Sequence, residues 1–168
     1  MRAEEVYVDP SALARLYIHQ AGSREMSVWR AKVRGTLAVT HHGRVEVINA
    51  MCRAAFLGQL DPDGLAEALA DLTADFASGH LRQADILWRA ALNGAAELSQ
   101  RHTPKLGTRS LDVLHVACAR ELRLRYFLTF DERQQQLAAA AGLKVARSTF
   151  TILIPLQKLP NVSQGWPP

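Results

Sequence analysis

Cysteine is scarce in this chain. Only Cys52 and Cys118 occur, in Ala-Met-Cys-Arg and Val-Ala-Cys-Ala, with no Cys-x-x-Cys spacing. That excludes a disulfide framework and a zinc–thiolate site, and two reduced thiols packed inside helices are expected. No uninterrupted apolar run is long enough to span a bilayer. The opening Met-Arg-Ala-Glu-Glu is acidic and leads into no apolar stretch, so no signal peptide is read there. A soluble, cytoplasmic protein with no membrane partner is expected. Histidine and cysteine are not read at metal-ligand spacing, which leaves oxygen as the candidate ligand chemistry.

The residues that are present fit a globular protein. Hydrophobic residues make up 48% and charged residues 21% of the 168, enough for one domain with a full core and no reason to expect disorder. Lysine and arginine number 20 against 16 acids, a net charge of +4. If four acids share one pocket, as argued below, the remaining surface carries 20 basic against 12 acidic residues. A basic body around an acidic hole attracts a polyanion, while the hole needs cations to tolerate phosphate.

Val6-Tyr7-Val8 before Asp9 and residues 126–130 before Asp131 read as buried strands, with 37–39 and 143–145 as further candidates. Helical patterns run over 11–20, 23–34, 43–58, 62–78, 84–102, 110–123 and 132–141. Pro62 suits a first turn capped by Asp61, and Gly142 suits the position just past a helix. Strands separated by helices imply βαβ units, hence an α/β fold with a mostly parallel twisted sheet. Four of the seven prolines fall in the last fourteen residues, so after a possible edge strand at 151–154 an irregular tail is expected.

Four carboxylates stand out. Asp9 and Asp131 each fit a helix N-cap, Asp131 with Gln134 in a capping-box arrangement. Asp112 lies in Leu-Asp-Val-Leu-His-Val-Ala-Cys-Ala, apolar on nearly every face, where an ionised group needs a partner or a metal. Glu46 lies on a stripe with Asn49 and Arg53, which a solvated helix face also explains. In an open parallel sheet, strand C-termini and the following helix N-termini share the edge that hosts ligands. All four acids map to that edge. Oxygen ligands alone select Mg²⁺ or Mn²⁺, ions suited to activating water for phosphoryl chemistry. His41 and His42 read as exposed loop residues, and His115 as a satisfied core histidine that orients a neighbour. Arg109 is either a phosphate contact or a surface arginine.

Three stretches together resemble the PIN-domain family. Val-Tyr-Val-Asp9-Pro-Ser11-Ala-Leu resembles its opening D-x-S-A-L, and Leu-Asp112-Val-Leu-His115-Val-Ala-Cys-Ala its L-D-A-L-H-L-A-x-A helix. Leu-Thr129-Phe-Asp131-Glu-Arg133-Gln134, with the later Gly142-Leu143-Lys-Val, is similar to its T-F-D-x-R-Q…G-L-x-V ending. The resemblance implies a three-layer α/β/α sandwich, with a nuclease domain over 1–147 and an edge strand and tail over 148–168. It implies a metal-dependent ribonuclease with Asp9, Glu46, Asp112 and Asp131 as catalytic and metal-site acids, and Ser11 and Thr129 as hydroxyl support. It further implies an RNA substrate and VapC-like toxin biology, with a cognate antitoxin and a homodimer. Glu46 departs from the pattern in its approach, since His41-His42-Gly43-Arg44 precedes it instead of a small or apolar stretch. A catalytically inactive RNA-binding or interaction domain of the same fold is the alternative. A haloacid-dehalogenase-like phosphatase would need an acid at residue 11, which is serine, and a receiver domain would need adjacent acids that are absent.

Overall fold

The computed structural model describes residues 1–146. Its strands are β1 (Val6–Val8), β2 (Leu37–Thr40), β3 (Leu81–Ala84), β4 (Tyr126–Leu128) and β5 (Lys144–Val145). Its helices are α1 (Pro10–Leu13), α2 (Ser23–Lys32), α3 (His41–Phe56), α4 (Pro62–Ala77), α5 (Trp88–Leu106), α6 (Ser110–Glu121) and α7 (Glu132–Ala140). Every strand pairing is parallel: β1-β4-β5 form one ladder, β2-β3 another, and β1 lies beside β2. The spatial order is therefore β3-β2-β1-β4-β5. It reverses between β1 and β4, the switch point at which such sheets bind ligands.

Alternation along the strands builds the layers. Val6 and Val8 of β1 join a core with Leu37, Val39 and Leu128, covered by residues of α1 to α4 such as Leu13, Trp29, Val47 and Leu72. Tyr7 and Phe127 point the other way, against Leu98 of α5, Val113 and Val116 of α6 and Leu137 of α7. This is the α/β three-layer sandwich with its parallel sheet in the middle.

Local signals behave as physical chemistry requires. Asp61 accepts from the Gly64 N–H at 2.7 Å with Pro62 in the first turn of α4. Gly142 takes a left-handed φ of 88° just past α7.

Several expectations are corrected. Residues 81–83 carry no assigned element and residue 84 opens the expected 84–102 helix, yet Leu81–Ala84 is a strand. Leu-Arg-Gln-Ala carries no β-branched residue, and pairing to β2 with Leu81 and Ala84 buried makes it a strand nonetheless. The 11–20 helix is one α-turn followed by a 3₁₀ turn at Ala14–Leu16. Cys118 is buried, but Cys52 is exposed, on an outer stripe of α3 with Val45, Asn49 and Phe56. The edge strand expected at 151–154 and the tail lie outside the described residues. Among the described residues, no helix is long and apolar enough to cross a membrane.

Candidate active site

Asp9 follows β1 directly, and its N–H donates to the Leu128 carbonyl at 2.9 Å, tying the two strand ends across the switch point. The side chain is buried and caps α1, accepting from the Ser11 N–H at 3.0 Å and from the Ser11 hydroxyl on the same oxygen, Oδ2. Its other oxygen, Oδ1, accepts from Gln134 Nε2 at 2.9 Å. Asp131 follows β4 and caps α7, accepting from the Gln134 N–H at 3.0 Å. The Asp131 N–H in turn donates to the buried Thr129 hydroxyl at 3.2 Å. Asp112 sits in the first turn of α6 and accepts from the Arg109 N–H at 3.1 Å.

Gln134 is the residue that sequence reasoning under-read. It is 1% exposed, and its amide also reaches the Asp112 carbonyl at 3.3 Å. One residue thus touches all three aspartates, through its side chain at Asp9 and the Asp112 carbonyl and through its N–H at Asp131. Its relation to Asp131 is visible in the sequence as an i,i+3 pair. Its reach to Asp9 crosses 125 positions and is not. The expected capping box does not close, because the glutamine side chain turns to Asp9 instead.

Asp112 is half-buried, not enclosed as its apolar helix suggested, since Leu111 beside it is exposed. Burial lifts its carboxyl above the ordinary range, and the charges of Asp131 and Asp9 add to that against the Arg109 N–H. Asp112 therefore senses the other two aspartates. The three offer oxygen only, the donor chemistry a hard divalent ion takes, although among the described residues the three ligand atoms that lie within 4.8 Å of one another belong to His42, Glu46 and His115 and not to the aspartates. Beside them opens a cleft of about 560 Å³ bordered by Arg109, Asp112, Phe130, Asp131 and Arg133. Arg15 stacks on Phe130 at 4.0 Å from the ring centre.

Glu46 stands in different company. Its Oε1 lies 2.6 Å from His42 Nε2 and 3.1 Å from His115 Nε2. Burial works to raise its carboxyl, but the His115 hydrogen bond and the two histidines outweigh this and hold it below its ordinary value. His115 is buried, and its Nδ1 is 2.8 Å from the Tyr7 hydroxyl, so it does orient a neighbour as expected. Burial of Tyr7 pushes its phenol well up, with Cys118, Asp9 and Glu46 adding to it. His41 and His42 are not loop residues. They open α3 behind Thr40, whose hydroxyl accepts from the Gly43 N–H at 3.0 Å. His41 pairs with Asp85 at the surface, while His42 is half-buried and shifted down by that burial.

No curated protein matches the chain. A family model described as PIN domain matches residues 6–140, from the first residue of β1 to the last of α7. Members of that family are generally nucleases that need a metal ion. A reversed parallel sheet with aspartates gathered at its switch point is thus accounted for by descent as well as by physics: the chain belongs to the PIN-domain family.

Proposed function

We propose that this protein is a metal-dependent endoribonuclease whose Asp9, Glu46, Asp112 and Asp131 hold Mg²⁺ or Mn²⁺, with Ser11 and Thr129 as supporting hydroxyls. The observation that carries this reading is the convergence of Asp9, Asp112 and Asp131 on Gln134 at the switch point, its side chain bonded to Asp9 and to the Asp112 backbone and its N–H to Asp131. When bound there, a divalent ion supplies an activated water and neutralises charge on the phosphate oxygens. The chain's own residues do the rest. Ser11 and Gln134 fix both oxygens of Asp9, Thr129 fixes the backbone of Asp131, and the Asp112 cap fixes its direction. Glu46 joins from α3, kept ionised by its histidines. Arg109 and Arg133 line a cleft with Asp112 and Asp131, which supports a role for them in holding substrate phosphate.

The purified protein cuts single-stranded or looped RNA only with Mg²⁺ or Mn²⁺, and EDTA abolishes the cleavage. Metal-independent cleavage leaving 2′,3′-cyclic ends would overturn the mechanism. RNA binding without cleavage under every metal condition would favour the inactive binding domain.

The biological role proposed is that of a VapC-like cytoplasmic toxin, homodimeric and silenced by a cognate antitoxin. Val28 on α2 and Val45 and Phe56 on α3 are exposed apolar side chains, Phe56 at 88%, and support a partner surface on the early helices. Expression without a partner arrests growth, and Asp9→Asn relieves the arrest with circular dichroism unchanged. Relief accompanied by unfolding would make the acid structural instead.

A further inference from the structure

We infer that His42, Glu46 and His115 form a second cation site, separate from the aspartates and selective for a borderline transition ion of the Zn²⁺ class. One ligand atom from each of the three lies within 4.8 Å of the other two. Two imidazole nitrogens and one carboxylate oxygen, with a fourth position left for water, is a ligand set that Zn²⁺ takes and Mg²⁺ does not. No spacing in the sequence announced it, because α3 supplies His42 and Glu46 one turn apart while His115 comes from α6, 69 residues beyond Glu46.

The geometry is close to that of a loaded site. Ligand atoms around tetrahedral zinc stand roughly 3.3 Å apart, given metal–ligand bonds of about 2.0–2.1 Å. The two nitrogens here lie 2.6 and 3.1 Å from the shared Oε1, each within about an ångström of that spacing, and no two of the three ligand atoms are more than 4.8 Å apart. His42 Nε2 is a buried nitrogen that meets the distance to Glu46 without the alignment of a hydrogen bond, and it finds no other partner. An orphan of that kind needs a reason, and a lone pair aimed at a cation position supplies one. His115 is prepared from behind. With Nε2 as ligand, its Nδ1–H donates to the Tyr7 hydroxyl at 2.8 Å, the outer contact that ligating histidines ordinarily make. The two rings stack at 5.0 Å and 19°, and Trp88 meets the His42 ring edge-on, so both imidazoles are held before any ion arrives.

The two sites share Glu46. An ion held by the histidines keeps that carboxylate away from the aspartates, so Zn²⁺ inhibits, a consequence that rests on the nuclease reading whereas the binding itself does not.

The test uses Co²⁺ as the visible stand-in for Zn²⁺ on the full chain, with excess Mg²⁺ present to fill the aspartates. One equivalent of Co²⁺ gives a tetrahedral absorption band that Zn²⁺ displaces, in the native protein and equally in Asp9→Asn. The band is lost in His42→Gln and in Glu46→Gln, two independent removals whose folding is checked by circular dichroism. It persists in His41→Gln. Tyr7→Phe weakens the affinity about tenfold or more. In the cleavage assay the Zn²⁺ concentration for half-inhibition rises at least about tenfold in His42→Gln, the scale of loss expected when a metal site is damaged. The proposal is overturned by a native protein that gives no band, by a band that survives both removals, or by one that disappears in Asp9→Asn. A protein with the expected band and no ribonuclease activity would sink the nuclease reading and leave this site standing.

Discussion

Replacing Asp112 with asparagine takes away one negative charge, keeps the side-chain shape, and leaves an oxygen to accept from the Arg109 N–H. Because burial and the charges of Asp131 and Asp9 raise the Asp112 carboxyl in the folded protein, its ionisation opposes folding at neutral pH. Asp112→Asn therefore melts higher than the native protein in EDTA, by a few degrees at most since solvent screens a half-exposed group. The sign fixes the pH window. The advantage is full above the folded pKa, fades as pH falls, and is gone below the unfolded value of about 3.9, where both forms are neutral. Differential scanning at two pH values reads this directly. If the acids bind metal, the same variant also shrinks the Mn²⁺ stabilisation, which for an intact site is about 2.7 kcal/mol at a hundredfold excess over Kd. A lower melting point in EDTA with an undiminished Mn²⁺ shift would mean that Asp112 is a structural cap alone. Gln134 tests the support beneath the acids. Gln134→Leu strips donors from buried Asp9 Oδ1 and from the Asp112 carbonyl, and costs about 1–3 kcal/mol. The Asp131 cap survives that change, because its donor is the backbone N–H. An unchanged melting point would show that these side-chain bonds contribute nothing.

α3 illustrates what a helix start controls. Thr40 ends β2 and caps α3 through Gly43, and that cap aims the first turn, with His42 half-buried in it and Glu46 one turn on. A Cβ on Gly43 would stand 3.1 Å from the Thr40 hydroxyl, so glycine leaves room for the cap as built. Thr40→Val keeps the branched shape, loses the acceptor, and lowers stability by about 1 kcal/mol. In a chain of this size that is roughly 2–4 °C in Tm, and Thr40→Ser should recover most of it. Equal melting of the valine and native proteins would show that the cap is dispensable. The elements legible in the sequence are those with their own local signal. Val-Tyr-Val, Asp61-Pro62 and Gly142 each state their conformation within a few residues. β3 does not, since Leu-Arg-Gln-Ala becomes a strand only through its pairing to Leu37–Thr40. The same holds for the site. Asp9, Asp112 and Asp131 sit at strand ends or helix starts and could be found by position. The environments of Glu46, His42 and Gln134 depend on long-range packing that no local pattern encodes.

At the scale of the whole molecule, the charge distribution poses a problem that the fold solves at one edge. A net charge of +4 draws in a polyanion, yet the switch point gathers aspartates that repel phosphate. Arg109 and Arg133 border the same cleft as Asp112, Asp131 and Glu132, so two cationic side chains stand beside the acids there. The two arginines are exposed, and neither is among the acids' hydrogen-bond donors through its side chain. Their work should therefore appear in binding and not in folding. With Asp9→Asn as a background that does not cleave, single-stranded RNA affinity measured across salt concentrations falls along a line whose slope counts the phosphates neutralised, about 0.7 per contact. Arg109→Ala and Arg133→Ala each reduce that slope by about 0.7, and the double variant by about 1.4, with melting temperatures nearly unchanged. A general basic surface, with no defined path through the cleft, makes a different forecast. Affinity would then drop slightly in the variants while the slope stayed within error, because other cations would take over the lost contacts. Comparing the slope of the double variant with that of a control altered at Arg24 and Arg89, two exposed arginines outside the cleft lining, separates the two cases. Equal slopes in both double variants would remove these arginines from the RNA path.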